Sequence, residues 1–103
     1  MRIEWSEIAF EDLSNIQDYI AKDSPYYAHQ FIEKLMNATD KLADHAQIGR
    51  VVPESEGIPN IRELIFHSYR IIYQINPDHI LIVAVIHGSR DLANMEAKPW
   101  DVV

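Results

Sequence analysis

Three short runs rich in Ile, Val, Tyr and Phe most constrain the fold; they occur at residues 61–66, 69–75 and 80–87. Each run has the length and composition of a single β-strand. The connections between them, residues 67–68 and 76–79, are short enough for hairpins. The pattern therefore predicts an antiparallel meander. The third run has apolar residues at both odd and even positions, so both of its faces are apolar. This indicates an interior strand that is covered on both faces.

Two helical stripes precede these runs. Ser6 is suited to cap a first helix, whose apolar positions are Ala9, Leu13, Ile16 and Ile20. The same spacing turns Glu11, Asp12 and Asp18 toward solvent. Ser24 and Pro25 suit the start of a second helix, whose apolar positions are Ala28, Phe31, Ile32, Leu35, Thr39 and Leu42. We expect this helix to reach about Ala46, with Gly49 supplying the left-handed turn that ends it.

A short N-terminal strand, residues 2–5, completes the order β-α-α-β-β-β. This order predicts one α+β domain over residues 1–103, in which an antiparallel helical hairpin packs on an antiparallel β-sheet. The predicted core residues are Leu13, Ile16, Phe31, Leu35, Phe66, Ile71, Tyr73 and Val83. The other sheet face, which carries Arg70, is expected to be solvated or reserved for a partner. Pro99 limits any helix in the tail, residues 92–103.

Composition narrows the classes of function. The chain has no cysteine, and its histidines lack the spacing of metal ligands, so we expect neither a metal nor a cofactor. No apolar segment suggests membrane insertion, and a cytoplasmic location is expected. The net charge is −7, and between Lys41 and Lys98 the chain has arginines but no lysine. An acidic chain is not expected to bind nucleic acid directly by itself.

Several motifs in their chain order resemble the ParE/RelE superfamily of type II toxin–antitoxin toxins. They are Trp5-Ser6 before a helix with Asp12-Leu13, Gly49-Arg50, Arg62-Glu63-Leu64, Tyr69-Arg70-Ile71-Ile72-Tyr73 and His87-Gly88-Ser89-Arg90-Asp91. The resemblance covers nearly the whole chain. It implies the fold predicted above, a role in plasmid or chromosomal stabilisation, and a cognate antitoxin. The antitoxin is expected to be ParD-like, with a ribbon-helix-helix domain.

The superfamily contains two activities. RelE-like members are metal-free, ribosome-dependent mRNA endonucleases, and here the candidate catalytic residues would be Arg62, Arg70, His87 and Arg90. ParE-like members bind and inhibit DNA gyrase and need no catalytic residue. The loop and sheet contain no lysine, and Gly-Ser-Arg-Asp follows His87, which favours the ParE-like activity. A diverged member that binds its antitoxin without strong toxicity is a third reading.

The partner-binding candidates are Arg50, Arg62, Arg70 and Arg90, which we expect to border an apolar groove that receives an antitoxin segment as a helix or an added strand. The alternative is that these arginines pair with Glu54, Glu56 or Glu63, including a Glu63–Arg70 pair across the hairpin. Asp91 is a further candidate to orient Arg62 or Arg90. His87 at a strand end also suits a structural hydrogen bond. Assembly stays open between a homodimer and a hetero-oligomer with the antitoxin.

Overall fold

The computed structural model describes residues 1–101 and has the predicted order of elements with one additional short strand. The elements are β1 (Arg2–Trp5), α1 (Glu7–Ala21), α2 (Pro25–Asp40), β2 (Arg50–Val51), β3 (Ile61–Phe66), β4 (Tyr69–Ile75) and β5 (His79–His87). Short 3-10 turns lie at Lys41–Ala43, Pro53–Ser55, Leu92–Asn94 and Pro99–Asp101. The last two residues of the predicted tail, 102 and 103, lie outside the described residues.

The five strands form one mixed sheet in the order β1-β5-β4-β3-β2. Strands β3, β4 and β5 form the predicted antiparallel meander, in which β5 is an interior strand, and the additional strand β2 pairs with β3 in antiparallel orientation. The prediction of a fully antiparallel sheet is wrong for β1, which pairs with β5 in parallel. Parallel strands need a long connection, and the helical hairpin together with the meander provides one.

Both helices begin as predicted. The Ser6 hydroxyl accepts a hydrogen bond from the Ala9 amide at 3.0 Å, and the Ser24 hydroxyl accepts one from the Tyr27 amide at 3.1 Å. The predicted end of the second helix is wrong, because α2 stops at Asp40 and the chain continues as a 3-10 turn. Gly49 does not have the positive φ of a helix-ending glycine and lies in the bend directly before β2.

The helical hairpin covers one face of the sheet and forms the main core. Six of the eight predicted core residues are buried there: Leu13, Ile16, Phe31, Leu35, Ile71 and Tyr73. Phe66 is only partly buried against this cluster because it ends β3 beside the hairpin turn. The remaining member, Val83, lies in a second core on the opposite face.

The chain itself covers part of that opposite face. The second core on this face consists of the buried residues Val52, Ile61, Ile72, Val83, Ala84, Ile86, Leu92 and Trp100. Trp100 is only 9% exposed, so the C-terminal segment is packed on the sheet. The expectation of a solvated or partner-reserved face is therefore wrong over this region, because sequence periodicity did not reveal that the loop and tail fold back onto it.

Asp12 is also placed differently from the prediction. Glu11 and Asp18 are exposed as expected, but Asp12 is half-buried and accepts a hydrogen bond from the Val85 amide at 2.9 Å. Strand β1 pairs with β5 only as far as Ile82, so it does not reach the Val85 amide. The Asp12 carboxylate takes the place of a strand partner there by accepting the hydrogen bond of that amide. Burial raises the pKa of Asp12, although the Val85 hydrogen bond opposes the effect.

Candidate functional site

Two of the four candidate arginines meet in a partly buried cluster with Glu54 and Glu63, which we call the arginine–glutamate network. Arg70 donates from Nε to Glu63 at 2.6 Å and from both terminal nitrogens to Glu54 at 2.9 and 2.7 Å. Arg50 donates from Nε to the second oxygen of Glu63 at 2.6 Å. The side chain of Glu63 is 0% exposed and that of Arg70 is 9% exposed. One buried carboxylate thus joins two guanidinium groups.

Strand register builds this network. Arg50 on β2 lies directly opposite Glu63 on β3, and Glu63 lies opposite Ile72 on β4. Arg70 is two residues from Ile72, so it is the diagonal neighbour of Glu63 on the same face. The 3-10 turn Pro53–Ser55 brings Glu54 to the other side of Arg70.

Gly49 and Tyr73 fix the start of β2 beside the network. The Tyr73 hydroxyl accepts a hydrogen bond from the Gly49 amide at 3.0 Å and donates one to the Ala46 carbonyl at 2.8 Å. A side chain at position 49 would collide with the Glu63 carbonyl oxygen and would approach the Tyr73 hydroxyl to 2.6 Å. Glycine is therefore required here so that the backbone before β2 can lie close to Glu63 and Tyr73.

The network is internally neutralised. The hydrogen bond from Arg70 holds the pKa of Glu54 below its usual value, and the same carboxylate raises the pKa of Arg70. The sequence interpretation that Arg70 pairs with Glu63 across the hairpin is confirmed. All three guanidinium nitrogens of Arg70 are already engaged with carboxylates.

The other two candidate arginines lie outside the network. Arg62 donates to the carbonyl oxygens of Pro59 at 3.1 Å and Gly49 at 3.0 Å. Arg90 follows β5 and lies near Asp12, in a pocket of about 300 Å³ lined largely by apolar residues. The structure therefore brings Arg50 and Arg70 together and leaves Arg62 and Arg90 apart from them.

His87 ends β5 on the sheet face opposite to Arg70. Its ring packs edge-on against Tyr69, with centroids 5.4 Å apart, and its Nδ1 lies 2.7 Å from the Ser89 hydroxyl oxygen. The expected pairing of Asp91 with an arginine is wrong, because Asp91 instead accepts a hydrogen bond from Asn94 at 2.6 Å. No ion pair of Asp91 occurs within residues 1–101.

A surface that sequence reasoning missed lies along the outer edge of β3. Ile48 and Ile65 are 57% and 59% exposed there. Ile65 belongs to two pockets. One, of about 290 Å³, is called the apolar pocket and is lined by Ala38, Lys41, Ile48, Leu64, Ile65 and Phe66. The other, of about 280 Å³, lies beside the arginine–glutamate network and includes Arg50, Ile65, His67 and Arg70. The sequence signal for this surface is Ile65, an apolar residue on the β3 face that also carries Glu63.

Neither α-helix within residues 1–101 is long and apolar enough to cross a membrane. The fold is defined by a helical hairpin on one face of a five-stranded mixed sheet, with the loop and tail packed on the other face. These features describe a small two-layer α+β protein.

Comparison with known proteins identifies the family. Residues 3–92 match the family model of the ParE toxin of type II toxin–antitoxin system, parDE. Toxin RelE2 of Caulobacter vibrioides is 31% identical over 90 residues, which cover 86% of this chain and 97% of that protein. A solved structure of the chromosomal ParDE TA system from P. aeruginosa matches with a TM-score of 0.70 at 21% identity, covering 84% of this chain and 95% of that one. The chain belongs to the ParE toxin family of type II toxin–antitoxin systems.

Proposed function

We propose that this ParE-family toxin acts by binding DNA gyrase, and that a ParD-like ribbon-helix-helix antitoxin neutralises it in a replicon-stabilising module. The observation that carries this proposal is the state of its arginines. Arg70 is buried with every guanidinium nitrogen on a carboxylate, and Arg62 is bound to backbone carbonyls. Both guanidinium groups therefore bind groups of their own chain and stabilise the fold.

An endonuclease that uses the ribose 2′-OH needs cations where phosphate charge develops and an acid–base group beside them. Here the candidate acid–base group, His87, and the candidate cation, Arg70, are on opposite faces of the sheet. Arg70 would also have to leave two carboxylates to receive a phosphate. This arrangement supports inhibition by binding over cleavage of RNA.

The charge of the whole chain supports the same conclusion. The sequence has 16 Asp and Glu residues against 9 Lys and Arg residues. Association with nucleic acid is driven largely by release of counterions from phosphates, which requires a cationic surface. A protein target is therefore favoured over direct binding of RNA or DNA.

Membership of the type II family supports an antitoxin partner, and the P. aeruginosa structure is of a ParDE system. We propose a hetero-oligomer with the antitoxin in the cytoplasm, where gyrase is found. The homodimer is the alternative, and sedimentation of the toxin alone and with the antitoxin distinguishes the two.

The activity is tested with purified toxin in two assays, supercoiling of relaxed plasmid by gyrase and cleavage of mRNA on programmed ribosomes. We expect inhibition of supercoiling by the wild type and by His87→Ala alike, and intact mRNA. In cells, induction should produce filamentation with a DNA-damage response. Abrupt translation arrest would contradict the proposal.

The RelE-like endonuclease is the second candidate, because the Caulobacter relative is named Toxin RelE2. In that case Arg62, Arg70, His87 and Arg90 would carry the reaction, and His87→Ala would abolish ribosome-dependent cleavage. A toxin that binds its antitoxin but is inactive in both assays would be the diverged, non-toxic member.

A further inference from the structure

A pocket between α1 and the C-terminal segment lies apart from the arginine–glutamate network. We call it the Asp12–Arg90 pocket. Its volume is about 300 Å³, and its apolar lining consists of Ile8, Ala84, Ile86, Met95, Ala97 and Pro99. Ala84, Ile86 and Pro99 are buried, whereas Ile8 is 39% exposed. The folded chain therefore holds the floor of the pocket in place and leaves one side open to solvent.

Arg90 supplies the basic side of this pocket. Within residues 1–101 its side chain makes no hydrogen bond and no ion pair, whereas the other three candidate arginines are bound to carboxylates or backbone carbonyls. An arginine binds a carboxylate through two parallel hydrogen bonds when its guanidinium group is open. Arg90 is therefore the candidate arginine that remains available to a partner.

Asp12 supplies the acidic side. Its Oδ2 accepts the hydrogen bond of the Val85 amide at 2.9 Å, while Oδ1 accepts none from the described residues. Every buried side-chain nitrogen or oxygen in that part of the chain has a partner, so Oδ1 must be open to solvent. Burial raises the pKa of Asp12, and Arg90 and Glu11 both lie close enough to act on it in opposite directions. The pocket thus separates acids on α1 from a base beyond β5.

The end of β5 adds main-chain groups beside the pocket. Strand β1 pairs with β5 only as far as Ile82, whereas β5 continues to His87. The Val85 amide points away from β4 toward Asp12, and directions alternate along an antiparallel ladder. The Val85 carbonyl and the His87 amide therefore point the same way, and neither is hydrogen-bonded within residues 1–101. An extended segment in the pocket can pair with both groups.

We propose that the Asp12–Arg90 pocket is the surface through which the toxin contacts DNA gyrase, and that it receives an extended gyrase segment in which an apolar side chain is flanked by a basic and an acidic one. This inference rests on the proposed function and identifies the contact surface and the chemistry of the target segment. The apolar side chain fills the pocket, the acidic one binds Arg90, and the basic one binds Oδ1 of Asp12.

The charges of the pocket favour this occupant. A nucleic acid would bring phosphates toward Asp12 and Glu11, whereas a protein segment of mixed charge is complementary to both sides. A toxin acts on its target as the free chain, so the target contact must be formed without the antitoxin. The pocket meets this condition, because Leu92 and Trp100 pack the C-terminal segment into the second core of the same molecule.

The first test compares toxin variants in supercoiling of relaxed plasmid by gyrase holoenzyme. Arg90→Gln is matched by Lys34→Gln, which removes the same charge from an exposed position on α2 outside the pocket. Ile8→Glu is matched by Ile58→Glu, because these side chains are 39% and 40% exposed and only Ile8 lines the pocket. We expect Arg90→Gln and Ile8→Glu to raise the half-inhibitory concentration about 10-fold or more, and each control to change it less than about 3-fold.

The second test identifies the segment that occupies the pocket. The chain has no cysteine, so Ala97→Cys provides a single thiol at an exposed pocket residue for a benzophenone label. Irradiation with gyrase should cross-link one segment that has the proposed pattern, whereas label at Ile58→Cys should not reach it. Replacement of the acidic residue of that segment by Lys should weaken inhibition by the wild type, and Arg90→Glu should restore it. Circular dichroism and urea denaturation of each variant verify the fold.

The outcomes separate this inference from the proposed function. If the wild type inhibits gyrase and Arg90→Gln and Ile8→Glu inhibit it equally well, the pocket is not the target contact, while the proposed function stands. If these variants inhibit gyrase normally but lose binding to the protein encoded by the adjacent small reading frame, the antitoxin is the occupant. If Ile8→Glu only dissociates a toxin dimer in sedimentation, a second copy is the occupant. A cross-linked segment without the flanking charges overturns the proposed pattern, and a wild type that does not inhibit gyrase overturns both proposals.

Discussion

Removal of the Glu63 carboxylate is expected to reduce the free energy of unfolding strongly. The Glu63 side chain is 0% exposed and accepts hydrogen bonds from Arg50 and Arg70, both at 2.6 Å. Glu63→Ala leaves the buried Nε–H of Arg70 without an acceptor and leaves its charge with Glu54 alone. Breaking a buried ion pair by removing one partner costs about 3–5 kcal/mol. A domain of this size is stabilised by only about 5–15 kcal/mol, so much of its stability would be lost.

The matched control for this prediction is Arg50→Ala, which removes a contact of the same carboxylate from the solvent side. The Arg50 side chain is 61% exposed, so water can partly replace its contact with the buried Glu63 carboxylate, and this variant should lose less than Glu63→Ala, about 1–3 kcal/mol. Glu63→Gln, which keeps the shape and one acceptor, should be intermediate. Urea denaturation followed by circular dichroism measures all three. If Glu63→Ala is no less stable than Arg50→Ala, the argument from burial is refuted.

Three further changes test other contacts. Tyr73→Phe should cost about 1–3 kcal/mol in urea denaturation, because it removes the hydroxyl that bonds the Gly49 amide and the Ala46 carbonyl; an unchanged midpoint would contradict this. Asp12→Asn should be nearly neutral at pH 7, because the amide oxygen still accepts from β5 and no charge is buried, whereas Asp12→Ala should cost about 1–3 kcal/mol. Glu54 has a folded-state pKa below its ordinary value of 4.5, so its stabilisation is present above that value and is lost as pH falls through the lowered pKa. Acid titration of Glu54→Gln should therefore show a smaller loss of stability than that of wild type.

The helices and the meander could be predicted because their signals are local. Caps at Ser6 and Ser24 and the helical spacing of apolar residues determine both helix starts, and the two-residue connection at His67 fixes the register of β3 with β4. Burial of most predicted core residues then follows from this periodicity.

The remaining features depend on contacts between distant segments. A four-residue strand carries no signal for the parallel partner that β1 finds in β5. The packing of Trp100 on the second face and the hydrogen bond from the Val85 amide to Asp12 also require the folded chain. Sequence composition left open whether the arginines pair with acids or face a ligand, and the answer depends on where the short 3-10 turn places Glu54.

The position of Glu54 and Glu63 decides what Arg70 can do. Arginine on the central strand of such a sheet could bind a phosphate if its planar fork were open. Here the buried Glu63 carboxylate occupies Nε and the Glu54 carboxylate occupies both terminal nitrogens, so an incoming phosphate would have to displace two anions that are already well aligned with the guanidinium group.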